Sequence, residues 1–440
     1  MTKFVKKILD TLLVYGWWLK LEKVTRDGTQ KRHFQSFNRH LALVCWTFPP
    51  NLDAGVYRPV SITKYAQEFG WKISVICGPI TKNPSPAGNY LLNSLPKDLK
   101  VERARNTIID PSYKLLPKLD GGFFNVFSVF SAARRSLDRN PPSVVMATGP
   151  PFQIFVAGYY IAKFFGAKAV FDYRDEWTEC PLNIVSAGIF DRVWERLCLE
   201  WADKCFFATR SQLEQQLMAF RTLKRDKCRV IPNGWEPNDF FPCEKSHYEK
   251  VNRKGHFIIS YIGRLSDYAL PGEFLTDLER VFDRRKDLLR RITLCFTGEI
   301  SKTASQQLKN FAYNSVVEIV DHVPKPIATL RMRQSSALLL FNHQNLHRYV
   351  PGKVYEYLAA GPPLLVSGAG GEIGSLIELL EAGFVIPIGN SELLEKALDD
   401  LILVRDIDWR EKRQKREEWL RQHTRGNTVK AMFEGFESLF

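Results

Sequence analysis

The sequence predicts an α/β protein built from two doubly wound halves, and three observations predict it. Short apolar runs bounded by Gly, Pro or Asn alternate with longer segments of helical character, the pattern of βαβ units. The alternation begins at His40, breaks over a polar stretch at 235–255, and restarts at Phe257. The length of 440 residues, 45% hydrophobic and 25% charged, suits two or three domains with a core each.

Residues 1–39 stand apart from this alternation. Phe4, Ile8 and Leu12, with Leu9 and Leu13, fall on one helical face, while Lys3, Lys6, Lys7 and Asp10 lie elsewhere. Trp17 and Trp18 suit a headgroup boundary, and the uncharged run Thr11–Leu19 is too short to span a bilayer. No small-residue cleavage site follows it. The expectation is a helix lying in the plane of a membrane surface, then a basic linker at 24–39. The alternative is a helix packed on the protein's own body.

The first half, 40–234, opens with a strand from His40 to Phe48. A loop at Pro49–Gly55 leads to a helix that Gly70 ends, and Lys72–Gly78 is the next strand. The stretch 79–98, rich in Pro, Gly and Asn, reads as a loop. A strand near Val101, a helix over 123–138 and a strand over Ser143–Thr148 follow. Gly149-Pro150-Pro151 then opens a helix that runs to Phe165. Strands at Lys168–Tyr173, Lys204–Thr209 and Cys228–Pro232, with helices over 187–202 and 211–221, complete this half.

The second half, 235–407, places strands at Phe257–Ile262, Ile292–Thr297, Val316–Val320, Ala337–Phe341, Pro363–Val366 and Phe384–Pro387. Ligands of such sheets bind beyond the carboxyl ends of the strands, so the halves are expected to face each other across a cleft. The tail, 408–440, is strongly charged and predicted helical, with Trp409, Trp419, Met432, Phe433 and Phe436 available for packing.

A net charge of +14 points to an anionic partner. Without zinc-finger spacing or an RNA-binding aromatic signature, nucleic acid is the weakest choice, behind a membrane surface or a phosphorylated substrate. The eight cysteines (Cys45, Cys77, Cys180, Cys198, Cys205, Cys228, Cys243, Cys295) form no C-x-x-C and read as reduced residues of a cytoplasmic protein. The histidines show no metal-ligand spacing.

The chemistry is expected at strand ends. Pro351-Gly352-Lys353-Val354-Tyr355-Glu356-Tyr357-Leu358-Ala359-Ala360-Gly361 reads as a helix bounded by glycines, followed by an apolar strand. Gly352 leaves the first-turn N–H groups accessible, the helix dipole favours an anion there, and Lys353 adds a mobile cation. Glu356, one turn in, can accept two hydrogen bonds from a sugar diol. Phosphate at the helix mouth and ribose on the glutamate together describe a nucleotide diphosphate. Other strand ends carry Asp53-Ala54-Gly55-Val56-Tyr57-Arg58, Asp172-Tyr173-Arg174-Asp175-Glu176-Trp177 and Gly263-Arg264. Each alone is weak; together, in the right topological places, they outline a site.

These residues carry a resemblance. From about His40 to Leu403 the chain resembles the family 4 glycosyltransferases, through Gly55 and Arg58, Thr148-Gly149-Pro150-Pro151, Asp172-x-Arg174-Asp175-x-Trp177, Val230-Ile231-Pro232-Asn233-Gly234, Tyr261-Ile262-Gly263-Arg264 and the Lys353–Gly361 helix. The resemblance implies the GT-B fold, two Rossmann-like domains facing across a cleft. It implies a retaining, metal-independent transfer from a nucleotide-sugar donor with no further cofactor. Under it Glu356 holds the donor ribose, Gly352 and Lys353 lie at the diphosphate, and Arg264 neutralises the leaving phosphate. Gly55 lets donor or acceptor approach, and Arg174 and Asp175 sit near the reacting sugar or the acceptor. The last helix of such proteins commonly crosses back to the first domain, a role for part of 408–440.

The chain also departs from that pattern. A second glutamate is expected at 348, where Arg348 stands; the usual Gly-Gly of the first loop is Ala54-Gly55; a common histidine is replaced by Arg174; and Ala269 stands where a lysine is common. Arg348 and Lys353 are the candidates for the lost charge. Gly368-Ala369-Gly370-Gly371-Glu372-Ile373-Gly374 follows a strand and opens a helix as a dinucleotide fingerprint does, yet no acidic residue ends the next strand. That loop is therefore read as shaping the donor site, with Glu372 touching the donor.

The expected function is a cytoplasmic, peripherally membrane-bound glycosyltransferase acting on a lipid-linked or polysaccharide acceptor in cell-surface glycan assembly. The rivals are a catalytically degenerate sugar-nucleotide-binding or partner subunit, a nucleotide-sugar epimerase, and a hydrolase using two of Asp172, Asp175 and Glu176.

Overall fold

The computed structural model describes residues 16, 18–27, 37–82, 86–105, 119–120, 122–182, 185, 187–240, 257–403 and 416–440. The chain divides into two units, Met1–Pro232 with Thr428–Phe440 and Asn233–Asn427.

The central strands of the first unit are largely apolar because its sheet is covered on both faces, while the edge strands are more polar and only half-buried. They are β1 (His40–Cys45), β2 (Lys72–Cys77), β3 (Lys100–Arg103), β4 (Val144–Gly149), β5 (Lys168–Tyr173), β6 (Lys204–Phe207) and β7 (Cys228–Val230), all parallel, in the order β3-β2-β1-β4-β5-β6-β7. Alternate residues serve opposite faces. Ala42 and Val44 join the core under helices Phe123–Leu137 and Gln153–Phe165, while Leu41 and Leu43 face helix Tyr57–Tyr65 and the C-terminal helix Arg425–Glu437. Strand order reverses between β1 and β4, the switch point beside which such sheets bind ligands.

The second unit repeats the plan with β8 (Phe257–Ile262), β9 (Ile292–Thr297), β10 (Val317–Val320), β11 (Ala337–Phe341), β12 (Leu364–Ser367) and β13 (Gly383–Ile386). Their order is β10-β9-β8-β11-β12-β13, again all parallel, with the reversal between β8 and β11. Helices Gly272–Arg284 and Ser391–Leu403 cover one face and helix Gly352–Ala360 the other.

Two expectations are corrected. Within 79–98, read as a loop, residues Pro86–Asn93 form a helix. Composition misleads there because Pro86 occupies the first helical position, where a missing N–H costs nothing, and Leu91 packs on the core. Trp18, expected at a headgroup boundary, lies in a helix over 18–27 and packs on the protein itself. Its ring centroid is 5.6 Å from that of Phe123 and 5.2 Å from that of Trp194. The apolar face read from Phe4 to Leu13 lies outside the described residues, as do Trp17, Cys243 and Trp409. The other seven cysteines are free. Among the described residues no helix is long and apolar enough to cross a membrane.

Candidate functional site

In the second unit the candidate residues follow β8 and β11, the strands that flank the reversal, and β12 beside them, all at carboxyl ends. Gly263, at φ 126°, turns the chain out of β8, and Arg264 follows it. The loop after β9 presses so close that a Cβ on Gly298 would lie 2.7 Å from the Gly263 carbonyl oxygen, so glycine is required there. Arg264 carries its guanidinium into solvent, 3.6 Å from the equally exposed Glu299.

The helix Gly352–Ala360 forms because Val354, Tyr357 and Leu358 bury one face, and Gly361 at φ 107° ends it, its N–H donating to the Tyr357 carbonyl. Nothing lies within 4 Å of where a Cβ on Gly352 would stand, so the helix mouth is open. Lys353 reaches from that mouth to the end of β8. Its ammonium hydrogen-bonds the Tyr261 hydroxyl, stands 4.0 Å from the Tyr261 ring centroid, and lies 3.4 Å from the Arg264 carbonyl oxygen. Tyr261 in turn donates to that carbonyl at 3.0 Å. Ala269, at the position expected for a lysine, instead packs against the core. The structure thus brings Lys353 to the Gly263–Arg264 turn, and the two cations share one strand end.

Glu356 is buried one turn further in, and its two carboxylate oxygens differ. Oε1 accepts from the Lys325 ammonium and from Arg425 Nη2 at 3.2 Å. Oε2 accepts no hydrogen bond from the described residues. Burial alone pushes the Glu356 carboxyl up, but Lys325 and then Arg425 outweigh it and hold the group below its ordinary range. Asp239 completes the cluster, 4.0 Å from Lys325 and 3.9 Å from Arg425; there burial prevails and the carboxyl is raised. Glu356 is therefore ionised, fixed by one oxygen and free to accept through the other.

The remaining candidates line neighbouring turns. Arg348 is half-buried in the turn between β11 and helix Gly352–Ala360. Glu372 stands in the first turn of helix Gly371–Leu379, with its N–H on the His347 carbonyl at 2.8 Å. The glycine-rich loop before it is held by buried Asn342, whose Nδ2 donates to the carbonyls of Gly368 and Gly370 at 3.1 and 2.9 Å.

In the first unit Arg58 and Asp172 form a buried bidentate pair, Nε to Oδ2 at 2.9 Å and Nη2 to Oδ1 at 2.6 Å. Thr148 donates to Oδ2 at 2.7 Å, and Arg58 also donates to the carbonyls of Ile231 and Pro232. This pair ties β4, β5, the first helix and the chain after β7 together. Arg174 is similarly spent on backbone, donating to the carbonyls of Gly149, Gly55 and Pro150. A Cβ on Gly55 would fall 1.8 Å from its Nη1, so Gly55 makes room for this guanidinium.

Asp175 differs from Arg174: its half-buried carboxylate makes no hydrogen bond to the described residues. Burial raises it, Arg174 draws it partly back, and Asp53 adds to the rise. The loop bearing it is tethered from helix Ile189–Trp201. Trp177 Nε1 donates to Asp191 at 2.9 Å, and the Thr178 N–H donates to Glu195 at 3.0 Å.

Glu195 is fully buried, and burial pushes its carboxyl from the ordinary 4.5 up to about 7, against the donors of Thr178 and Gln216. Its folded pKa lies above the unfolded one, so its contribution to stability is complete below pH 4.5 and is lost as pH rises through about 7. At about 1.4 kcal/mol per pKa unit, the loss amounts to a few kcal/mol. Urea denaturation across that window is expected to register it, and Glu195→Gln to flatten the slope. An unchanged slope would assign the pH dependence elsewhere.

Sequence reasoning missed Lys325, Arg425, Asp239 and Tyr261 as parts of the second-unit site. Only Tyr261 had a signal, its position inside the motif ending in Gly263-Arg264.

No protein-family model matches this sequence, nor does any curated protein. Solved structures do resemble it. Anabaena HepE, solved with UDP and glucose, has a TM-score of 0.65 at 16% identity, over 91% of this chain and 99% of its own. Sucrose-phosphate synthase from Thermosynechococcus elongatus has a TM-score of 0.67 at 13% identity, over 92% and 99%. The lipopolysaccharide outer core galactosyltransferase WaaB, in its apo form, has a TM-score of 0.58 at 14% identity, over 91% and 100%. The chain has the GT-B fold. At these identities the likeness is one of fold, and within the GT-B fold the residues described above are this chain's own.

Proposed function

We propose that the protein is a glycosyltransferase that takes a sugar from a nucleoside diphosphate donor held by its second unit. The observation that carries this is Glu356, ionised, anchored through Oε1 and open through Oε2, one helical turn from a mouth where Lys353 reaches the Gly263–Arg264 turn. A ribose hydroxyl suits the first and a diphosphate the second. The UDP and UDP-glucose with which HepE was solved support this donor class and put uridine first among the bases to test.

In the proposed reaction Arg264 meets the charge that develops on the leaving phosphate, Lys353 and the Gly352 amides hold the diphosphate, and Arg348 and Glu372 border the donor. Asp175 belongs to the acceptor side, where burial raises its carboxyl toward the base that an acceptor hydroxyl needs. Gly55 and Arg174 shape that side by fixing its loops. Transfer is proposed to retain configuration and to need no metal. The acceptor is proposed to be lipid-linked or a polysaccharide, met at the cytoplasmic membrane surface, with residues 1–15 contributing to the attachment.

Thermal shift against a panel of nucleoside diphosphates and nucleotide sugars tests the donor site. One nucleotide is expected to raise Tm by several degrees at saturating concentration, and Glu356→Ala to abolish the rise. A folded protein that responds to no member would overturn the donor site. Stabilisation without sugar transfer to any membrane extract would leave a binding subunit in place of an enzyme.

A further inference from the structure

Helix Ile189–Trp201 has two unlike faces. Inward, Asp191 and Glu195 tether the loop that bears Asp175, and Trp194, Cys198 and Leu199 join the core. Outward, Phe190, Val193, Leu197 and Trp201 are 44%, 50%, 38% and 43% exposed. Their spacing of three, four and four residues puts them in one stripe along the helix. The helix over 18–27 lies beside it through the Trp18–Trp194 contact and adds Leu19, 72% exposed. Single exposed apolar residues need no explanation, but a continuous row of this size marks an interaction surface.

The charges around the row name the partner. Of the acids of these helices, Asp191 and Glu195 are buried, Glu22 accepts from the Tyr160 hydroxyl at 2.7 Å with Lys163 at 3.7 Å, Glu200 pairs with Arg196, and Asp27 is exposed at the end of its helix. Of the cations, Lys20, Lys23 and Arg26 are exposed, and Arg192 and Arg196, paired with Glu179 and Glu200, remain more than half exposed in their side chains. A second copy docking on this face by a two-fold axis would set these cations against themselves. A plane of anionic headgroups over acyl chains meets both the row and its rim.

We infer that the face formed by Phe190, Val193, Leu197 and Trp201, with Leu19 and its basic neighbours, docks on an anionic lipid bilayer. This deepens the proposed membrane association by giving it a built surface distinct from residues 1–15, and it does not depend on the donor site.

The test is flotation of the full chain with vesicles of phosphatidylcholine alone or with about a third phosphatidylglycerol. Wild type is expected to float with the anionic vesicles only. The variant Phe190→Ser/Leu197→Ser/Trp201→Ser is expected to partition at least about tenfold less, the loss from withdrawing even one large apolar side chain. All three positions are exposed, so an unchanged Tm is expected and serves as the folding control. If wild type floats with neither vesicle, membrane association itself fails. If the variant floats as well as wild type, this surface is overturned while attachment through residues 1–15 stands. A wild-type dimer that the variant breaks, without vesicle binding, would assign the row to self-association and overturn the inference.

Discussion

Asp172→Ala is expected to destabilise the first unit by about 3–5 kcal/mol, the usual cost of removing one partner from a buried ion pair. The carboxylate is wholly buried and takes both forks of the Arg58 guanidinium together with the Thr148 hydroxyl. Without it a guanidinium remains inside with, among the described residues, the carbonyls of Ile231 and Pro232 to receive it. Urea unfolding followed by tryptophan fluorescence measures the effect. A loss under about 1 kcal/mol would mean that water or a rearranged side chain satisfies Arg58. Arg58→Met/Asp172→Leu is expected to recover much of the loss, because an apolar pair leaves no charge uncompensated.

Arg264→Ala is expected to lower kcat for sugar transfer about 100- to 1,000-fold, the range for removing one preorganised group aimed at developing charge. It is expected to leave Tm within about a degree, since its only ion-pair partner among the described residues is exposed Glu299. Lys353→Ala is expected to raise KM for the donor as well as lower kcat, because its ammonium stands at the helix mouth beside the Arg264 carbonyl. Initial rates with the donor found by thermal shift separate the two. A near-normal kcat in Arg264→Ala, with donor bound, would remove the arginine from the reaction.

Much of this architecture is written locally. Runs such as Leu41-Ala42-Leu43-Val44 are apolar throughout because both faces of the sheet are covered, and Gly70 and Gly361 end helices as expected, both in the left-handed region. The helix from Gly352 to Ala360 could be read for the same reason: its mouth, its buried face and its terminator are contiguous.

What could not be read is what distant segments supply. Lys325 and Arg425 reach Glu356 from 31 and 69 residues away, on elements with no motif of their own. Gly55 stood out as a glycine, but the guanidinium that demands it lies 119 residues on. Trp18 has the same composition cue whether it meets lipid or Trp194, and only the packing decides.

The C-terminal helix carries a consequence for how the protein is made. Val429, Met432, Phe433 and Phe436 belong to the core of the first unit, against Trp71 and Phe206. That unit is the first to leave the ribosome, yet its core lacks this wall until residues 428–440 have been made. Throughout synthesis of the second unit, the nascent first unit keeps an apolar strip uncovered. Completion of the first unit therefore waits on residues 428–440, and a chain cut short after Asn427 would leave that unit's core without its covering helix.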